Sequence, residues 1–277
     1  LIHDPNNGAP TMSETVLLAN RGAVAIMTLN RPESMNAMNP EMLDTMFRVA
    51  RQAADDPAIR CLVITGNGRA FSAGGDVKAM ASGNADGSRS GPMVSRVDVL
   101  RQQEEVSRLL AEMPKPTICA VNGVAAGAGL SVALAADLRV ASDQSRYTTA
   151  FAKVGFSGDF GGTWLLQRLV GPLQAKGLYF LSDVSDANKA LELGLVSKVV
   201  PHDSLMDETM ALADRLAAGP TLAFGRIKDN FSFGATNTFA DTLQREAENM
   251  IASGKTQDHL NAARAFVEKA TPVFEGR

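Results

Sequence analysis

One stretch in the middle of the chain, residues 117–137, constrains the fold more strongly than any other part of the sequence. It reads as an apolar strand at 117–121, a glycine-rich turn at 122–129 and a helix of small and apolar residues at 130–136. Glycines at 123, 127 and 129 allow bare backbone to approach a ligand, and the helix directs its unpaired N–H groups into that space. The stretch predicts a binding site for negative charge, although its alanines fit close packing of a helix on a sheet equally well.

Two common glycine-rich motifs do not account for this turn. The dinucleotide-binding motif G-x-G-x-x-G requires a third glycine where Val132 follows Gly127 and Gly129. The phosphate-binding motif G-x-x-x-x-G-K-[ST] is matched only in part, by the Gly-Lys-Thr sequence at 254–256. That sequence lacks the first glycine of the motif and has no strand before it. Neither a dinucleotide nor a nucleoside triphosphate is therefore predicted.

A second stretch, residues 62–76, repeats the design of the first. An apolar strand at 62–65 is followed by a turn at 66–69 and by the sequence Phe-Ser-Ala-Gly-Gly-Asp at 71–76. Two such loops at the ends of two strands can each direct one backbone N–H at the same oxygen atom, which is how an oxyanion hole is built. Together the two stretches favour a site that stabilises a negatively charged oxygen.

Both stretches belong to a set of short motifs spread along the chain. The set consists of Arg31-Pro32, Asn36-Ala37, Ala70-Phe71-Ser72-Ala73-Gly74-Gly75-Asp76, Asn122-Gly123, Gly127-Ala128-Gly129 and Gly161-Gly162-Thr163. In order and spacing, from about residue 12 to the C terminus, the sequence resembles the crotonase, or enoyl-CoA hydratase/isomerase, family. The resemblance implies an α/β crotonase fold, with a layered β/α core and a C-terminal helical segment that takes part in oligomerisation.

The composition agrees with a soluble enzyme. Lysine and arginine total 27 against 30 aspartate and glutamate residues, and the net charge of −3 gives no electrostatic reason to expect nucleic acid or an anionic membrane as a partner. The apolar runs fall short of the roughly 20 residues that a membrane helix needs, and no signal peptide is recognised. The two cysteines and three histidines show no metal-ligand spacing. We expect a cytoplasmic enzyme with buried free thiols, no metal and no separate cofactor.

The order of the elements divides the chain into three parts. Residues 1–11 show no periodic pattern and are read as an upstream extension. Residues 12–202 alternate strands and helices, which predicts a largely parallel β/α core, the acyl-CoA-binding part of the family. Residues 203–277 read as four helices, at 203–217, 222–233, 239–251 and 256–269. The resemblance implies that these helices build a homotrimer or a hexamer, although four helices closing over their own domain fit the same pattern.

The resemblance also implies how the site acts on a coenzyme A thioester, which would be the substrate. Enzymes of this fold hold the thioester carbonyl between two backbone N–H groups, which by motif position are those of Ala73 and Ala128. Hydratases of the family add two glutamates, at positions that hold Ser131 and Phe151 in this chain. Water addition needs one group to activate water and another to handle the α-proton, so the loss of both carboxylates argues against simple hydratase activity.

Asp159 is the candidate base. It stands in Gly158-Asp159-Phe160-Gly161-Gly162, where ring-opening and double-bond-shifting isomerases and an aryl-CoA dehalogenase of the family place a catalytic aspartate. Alternatively, Asp159 caps the helix that starts near Gly162, and a helix N-terminus is expected to keep the carboxylate ionised. The sequence favours an enoyl-CoA isomerase. An enoyl-CoA hydratase of fatty-acid or aromatic acyl-CoA degradation is the alternative, followed by a thioester hydrolase and an acyl-CoA-binding protein without turnover.

The same resemblance assigns the substrate contacts. The substrate-binding residues are Ala37, Ala73, Gly74, Gly75, Asp76 and Ala128, with Phe151 and Trp164 as candidates for either an apolar acyl pocket or the core. Candidate partners for the phosphates of coenzyme A are Arg31, Lys78 and Lys269. Residues 81–95 are mostly small and polar, and we expect a surface loop placed to cover the acyl site.

Overall fold

A six-stranded sheet forms the centre of the molecule in the computed structural model, which describes residues 15–76 and 93–277. Its strands are β1 (Val16–Arg21), β2 (Val24–Leu29), β3 (Cys61–Gly66), β5 (Thr117–Val121), β7 (Leu138–Ser142) and β10 (Lys198–Val200). They lie in the order β1-β2-β3-β5-β7-β10, with β1 and β2 antiparallel and the other neighbours parallel. The central strands β3 and β5 are buried along their whole length, as expected of a parallel sheet covered on both faces.

Three helices cover the first face of this sheet: α1 (Pro40–Asp55), α2 (Met93–Glu112) and α3 (Ala128–Ala135). The first begins as its sequence predicts, because the Asn39 side chain accepts a hydrogen bond from the Met42 N–H (2.9 Å) and Pro40 is the first helical residue. Apolar side chains of the three helices form the larger core cluster with alternate residues of the strands, such as Leu62 and Ile64.

The opposite face of the sheet is covered by α7 (Leu205–Ala217). Its apolar side chains pack against the strand residues that alternate with those of the first cluster, namely Val24, Cys61, Val63, Ile118, Ala120 and Val140. Because successive strand residues point to opposite faces, this pairing follows directly from the period of the strands. The first helix of the predicted C-terminal segment thus packs as a layer of the core.

The structure contains a second sheet of four short strands that the sequence analysis does not predict. This sheet consists, in spatial order, of β4 (Ala70–Ser72), β6 (Val124–Ala126), β8 (Arg146–Thr148) and β9 (Ser185–Asp186). Strands of two or three residues are too short to show alternation, and β6 lies inside the stretch read as a glycine turn. The parallel pairing of β4 with β6 places the two glycine-rich loops side by side.

Of the remaining helices, the last three match the helices predicted for the C-terminal segment closely. The remaining helices are α4 (Gly162–Val170), α5 (Pro172–Leu181), α6 (Ala187–Glu192), α8 (Thr221–Gly234), α9 (Phe239–Gly254) and α10 (Gln257–Glu268), with 3₁₀ helices at Pro32–Ser34, Phe151–Val154 and His202–Ser204. None of the helices in the described ranges is long and apolar enough to span a membrane. Because α2 begins at Met93, the end of the predicted 81–95 loop is helical. The rest of that loop, Lys78 and the predicted extension 1–11 lie outside the described residues.

Candidate active site

The two glycine-rich loops meet beyond β4 and β6, as the sequence predicts. A Cβ atom at Gly74 would stand 2.7 Å from the carbonyl oxygen of Ala126 and 3.3 Å from the nitrogen of Ala128. A Cβ atom at Gly129 would stand 2.6 Å from the carbonyl oxygen of Ser72. Both oxygen contacts are closer than a side chain tolerates. Because glycine has no side chain, the two loops can come into backbone contact at these positions.

The N–H of Ala128 is placed to bind an oxygen atom by its position in α3. Gly127 turns the chain with a φ of 52°, and Ala128 is the first helical residue. An N–H at this position has no acceptor within its own helix, and the helix dipole adds positive potential there. The helix starts two residues earlier than predicted, and this early start brings Ala128 to the terminus.

The structure corrects the prediction for Ala73. Its N–H donates to the carbonyl oxygen of Met35 (2.9 Å), so it does not serve a substrate. The next N–H, that of Gly74, donates to Ser72 Oγ (3.1 Å). The N–H of Gly75 has no acceptor in the described part of the chain. Gly75 therefore replaces Ala73 as the candidate donor on this loop.

The turn before α1, at residues 31–39, is hydrogen-bonded to the glycine-rich loop at 71–76. Arg31 donates to the Asp76 carboxylate (3.2 Å) and to the carbonyl oxygen of Ala37. Asn36 is fully buried in a left-handed conformation (φ 55°), and its amide donates to the carbonyl oxygen of Ala70 (2.8 Å). The charge of Arg31, a predicted phosphate partner, is thus already paired within the protein.

Asp159 lies on a loop of uncommon backbone conformation. Gly158, Phe160 and Gly161 have φ angles of 117°, 50° and 73°. Of these three, Phe160 carries a side chain, and a positive φ is costly for such a residue. The alternative in which Asp159 caps α4 is excluded, because the N-cap residue is Gly161 and no side chain caps this helix.

The Asp159 carboxyl is largely buried, and part of it lacks a partner. Its Oδ1 atom is inaccessible to solvent and has no hydrogen bond to any of the described residues. Burial, together with the nearby charge of Glu104, raises the pKa of Asp159 to about 7. Burial thus shifts Asp159 toward its protonated form, against the expectation that the helix N-terminus keeps it ionised. A carboxyl group that titrates near neutrality can both accept and return a proton.

The chain is similar to known proteins over almost its whole length. A family model described as enoyl-CoA hydratase/isomerase matches residues 19–277. The chain belongs to this family. Over 96% of its length it is 38% identical to the 1,2-epoxyphenylacetyl-CoA isomerase of Escherichia coli, of which 100% is covered. Over 94% of its length it is 34% identical to the crotonyl-CoA hydratase of Syntrophomonas wolfei, of which 98% is covered.

The fold of solved relatives is the same. The crystal structure of an enoyl-CoA hydratase from Polaromonas sp. JS666 is 30% identical and has a TM-score of 0.87, covering 94% of this chain and 99% of that chain. The crotonase fold and the enzyme class predicted from the sequence are therefore confirmed. Because relatives with isomerase and hydratase names are both similar to the chain, family membership alone leaves the reaction open.

Two buried side chains occupy the positions at which hydratases of the family carry glutamates. Ser131, one turn into α3, donates to the carbonyl oxygen of Gly127 (3.3 Å). Phe151 stacks on Tyr179 with a ring separation of 5.9 Å and an interplanar angle of 3°. Neither position supplies an acid or a base, so the proton chemistry depends on other residues.

Tyr179 and Glu104 are site residues that the sequence reading misses. The Tyr179 hydroxyl bonds to Ser131, and burial raises its pKa to about 12, so this group stays protonated at neutral pH. Glu104 on α2 accepts a hydrogen bond from the Phe160 N–H (3.0 Å). Tyr179 lies in the apolar sequence of α5 and Glu104 in a charged run of α2. Local pattern therefore contains no signal for either residue.

Trp164 lies on α4. Its ring is partly exposed (41%), and the Arg168 guanidinium stacks on it at 3.6 Å. It lines a groove of about 790 Å³ between α2, α4 and α8, and none of the described residues lining this groove belongs to either loop. Its place in an acyl pocket stays a prediction. Lys269, another predicted phosphate partner, is exposed at the end of α10.

Proposed function

We propose that this protein is an enoyl-CoA isomerase that shifts a double bond with Asp159 as its single base. The Asp159 carboxyl carries the proposal. It is largely buried, its Oδ1 lacks a hydrogen-bond partner among the described residues, and its pKa is raised to about 7 by burial and by Glu104. Groups with strongly shifted pKa values cluster at functional sites, because catalysis needs such shifts whereas the stability of the fold does not. The similarity to an isomerase from Escherichia coli supports the same reaction class.

The packing around Asp159 supports a position beside the oxyanion site. Gly162, three residues after Asp159, packs so closely on Ser131 that a side chain at this glycine would clash with the serine hydroxyl. Ser131 in turn lies one turn after Ala128, whose N–H is the oxyanion donor of α3. These contacts favour a substrate that lies between the Asp159 carboxyl and the Ala128 N–H.

In the proposed reaction the substrate is a 3-enoyl-CoA thioester. Its carbonyl oxygen accepts hydrogen bonds from the N–H groups of Ala128 and Gly75, each typically worth about 3 kcal/mol to the transition state. The Asp159 carboxylate removes a proton from C2, and the electrons spread into the thioester as a dienolate. The protonated Asp159 then returns the proton to C4, which leaves a 2-enoyl-CoA and restores the carboxylate.

The side chains near the reacting carbons favour an apolar acyl group. The Phe151 ring lies beside the glycine turn, 3.8 Å from where a Cβ atom of Gly127 would stand. Tyr179, which stacks on Phe151, adds a second ring. The hydroxyl of Tyr179 is already hydrogen-bonded to Ser131. A hydrocarbon or aromatic acyl chain gains from contact with this pair, whereas a charged chain would lose its hydration there.

We also propose a homotrimer or hexamer that acts in the cytoplasm in the metabolism of fatty acyl-CoA thioesters. The surface of the last three helices supports assembly, because it exposes the large apolar side chains Ile227, Phe231, Phe239, Leu243, Met250, Ile251, Leu260, Phe266 and Val267.

The cysteines Cys61 and Cys119 are buried free thiols, which suits a reducing compartment.

The test of the proposed reaction compares wild type with Asp159→Asn. Asparagine keeps the size of the side chain and cannot accept the proton. We expect kcat for 3-enoyl to 2-enoyl conversion to fall by about 10² to 10⁴ while CoA thioester binding changes little. Asp44→Asn, at an exposed position on α1, is the matched control and is expected to retain wild-type turnover.

Four results would contradict the proposal. Undiminished isomerisation by a folded Asp159→Asn variant would exclude Asp159 as the base. Hydration of a 2-enoyl-CoA that outpaces isomerisation in the wild type would favour the hydratase reading. Release of free coenzyme A, or tight binding without any turnover, would favour a hydrolase or an acyl-CoA-binding protein.

A further inference from the structure

Glu104 holds the backbone of the loop that carries Asp159. One carboxylate oxygen of Glu104 accepts the Phe160 N–H at 3.0 Å, across 56 residues of sequence. Phe160 is the side-chain-bearing residue with positive φ in this loop, and its own side chain is buried. A strained residue keeps its conformation only where its surroundings hold it. The hydrogen bond from α2 is therefore one of the contacts that define where Asp159 stands.

The charge of Glu104 lies beside a second carboxyl group. Three elements around the loop direct polar side chains at Asp159 and its neighbours: Glu104 from α2, Ser131 from α3 and Tyr179 from α5. Serine carries no charge, and Tyr179 stays protonated at neutral pH because burial raises its pKa to about 12. Among the described residues, Glu104 is thus the group whose negative charge acts on Asp159.

We propose that Glu104 is a positioning residue for the base: its carboxylate holds the loop through the Phe160 N–H and sets a second negative charge beside Asp159. This inference rests on the proposed role of Asp159. The two effects act together on proton removal. The hydrogen bond orients the base, and the charge makes Asp159 bind a proton more strongly, so that it withdraws a weakly acidic C2 proton more readily.

Two substitutions separate these effects. Glu104→Gln removes the charge and keeps an oxygen that can accept the Phe160 N–H, whereas Glu104→Ala removes both. Glu105→Gln is the matched control, because Glu105 is the next residue on α2 and pairs with Arg108 instead. All three variants and wild type are compared by the pH dependence of kcat/KM for isomerisation, and folding is checked by circular dichroism.

Removal of a neighbouring negative charge lowers the pKa of a carboxyl group, so the acidic limb of the Glu104→Gln profile is expected to move to lower pH. At pH 5.5 its kcat/KM, relative to its own plateau, is expected to exceed that of wild type about twofold or more. Glu104→Ala is expected to lose a further factor of about 10 or more in kcat, because the base is no longer held in place. Glu105→Gln is expected to follow the wild-type profile.

A second readout does not depend on turnover. The ¹³C resonance of the Asp159 carboxyl, assigned by comparison with Asp159→Asn, reports its titration in the free enzyme. Its midpoint is expected at lower pH in Glu104→Gln than in wild type. An unchanged midpoint together with an unchanged pH profile would overturn the inference while leaving Asp159 as the base. Full activity of Asp159→Asn would instead overturn the proposed function.

Discussion

At the scale of single residues, Asp159 lowers the stability of the fold. Below the usual aspartate pKa of 3.8 the group is protonated in the folded and the unfolded chain alike. Between 3.8 and about 7 the unfolded chain loses the proton while the folded chain keeps it, so the free energy of unfolding falls as the pH rises. Above that range the folded protein contains an ionised, poorly solvated carboxylate and the full penalty applies.

Asp159→Asn is therefore expected to stabilise the protein while it lowers turnover. The gain is on the order of 2 kcal/mol at pH 8, or a few degrees in Tm, and smaller at pH 5. Calorimetry at the two pH values measures it, with Asp44→Asn as the control for the loss of an exposed carboxylate. An equal effect at both pH values would show that the carboxyl group is not the origin.

At the scale of elements, α8 is attached to the core by a buried cation. The Nζ atom of Lys228 donates to Asp137 Oδ2 (2.8 Å) and to the carbonyl oxygens of Leu110 (3.2 Å) and Lys115 (3.0 Å). Asp137 also accepts the N–H and the hydroxyl of Thr117, the first residue of β5. One carboxylate thus connects the central strand to the C-terminal helices.

Lys228→Met is expected to destabilise the protein by about 2 kcal/mol, less than for a fully buried pair, because Asp137 is partly exposed and keeps its bonds to Thr117. The side chain of Lys228 is 10% exposed, whereas that of Lys198, which pairs with Glu208, is 54% exposed. Lys198→Met is the matched control and is expected to cost less than about 1 kcal/mol. Urea unfolding measures both, and equal costs would contradict the role given to Lys228.

At the scale of the whole molecule, the last three helices expose large apolar side chains, which supports the proposed assembly. Phe231, Phe239 and Phe266 are 78%, 79% and 87% exposed. Isolated exposed apolar residues are common, but this surface repeats them on three successive helices that form the end of the fold. A second copy of the chain is the partner that the family resemblance implies.

Light scattering on the purified protein is expected to give three or six times the mass of one chain. The double substitution Phe239→Glu and Phe266→Glu places charge on this surface and is expected to reduce that mass. Lys255→Glu, at an exposed position after α9, adds the same type of charge and is expected to leave the assembly intact. A monodisperse monomer at micromolar concentration would contradict the proposed assembly.

The sequence by itself determined the features that depend on neighbouring residues. Asn39 and Pro40 begin α1 because capping needs only three or four residues. The glycines of the two loops predict close backbone contact, and the loops do meet at Gly74. Asp159 stands out by its motif, and the C-terminal helices follow from their apolar periodicity. Each of these is a short-range property.

Only the tertiary structure decided which groups are free to act. The choice of Gly75 over Ala73 depends on a carbonyl group at Met35, and the proton affinity of Asp159 depends on burial and on Glu104. The second sheet is built from strands too short to leave a pattern. Hydrogen-bond occupancy and desolvation are set by atoms far away in the chain, and local sequence does not contain them.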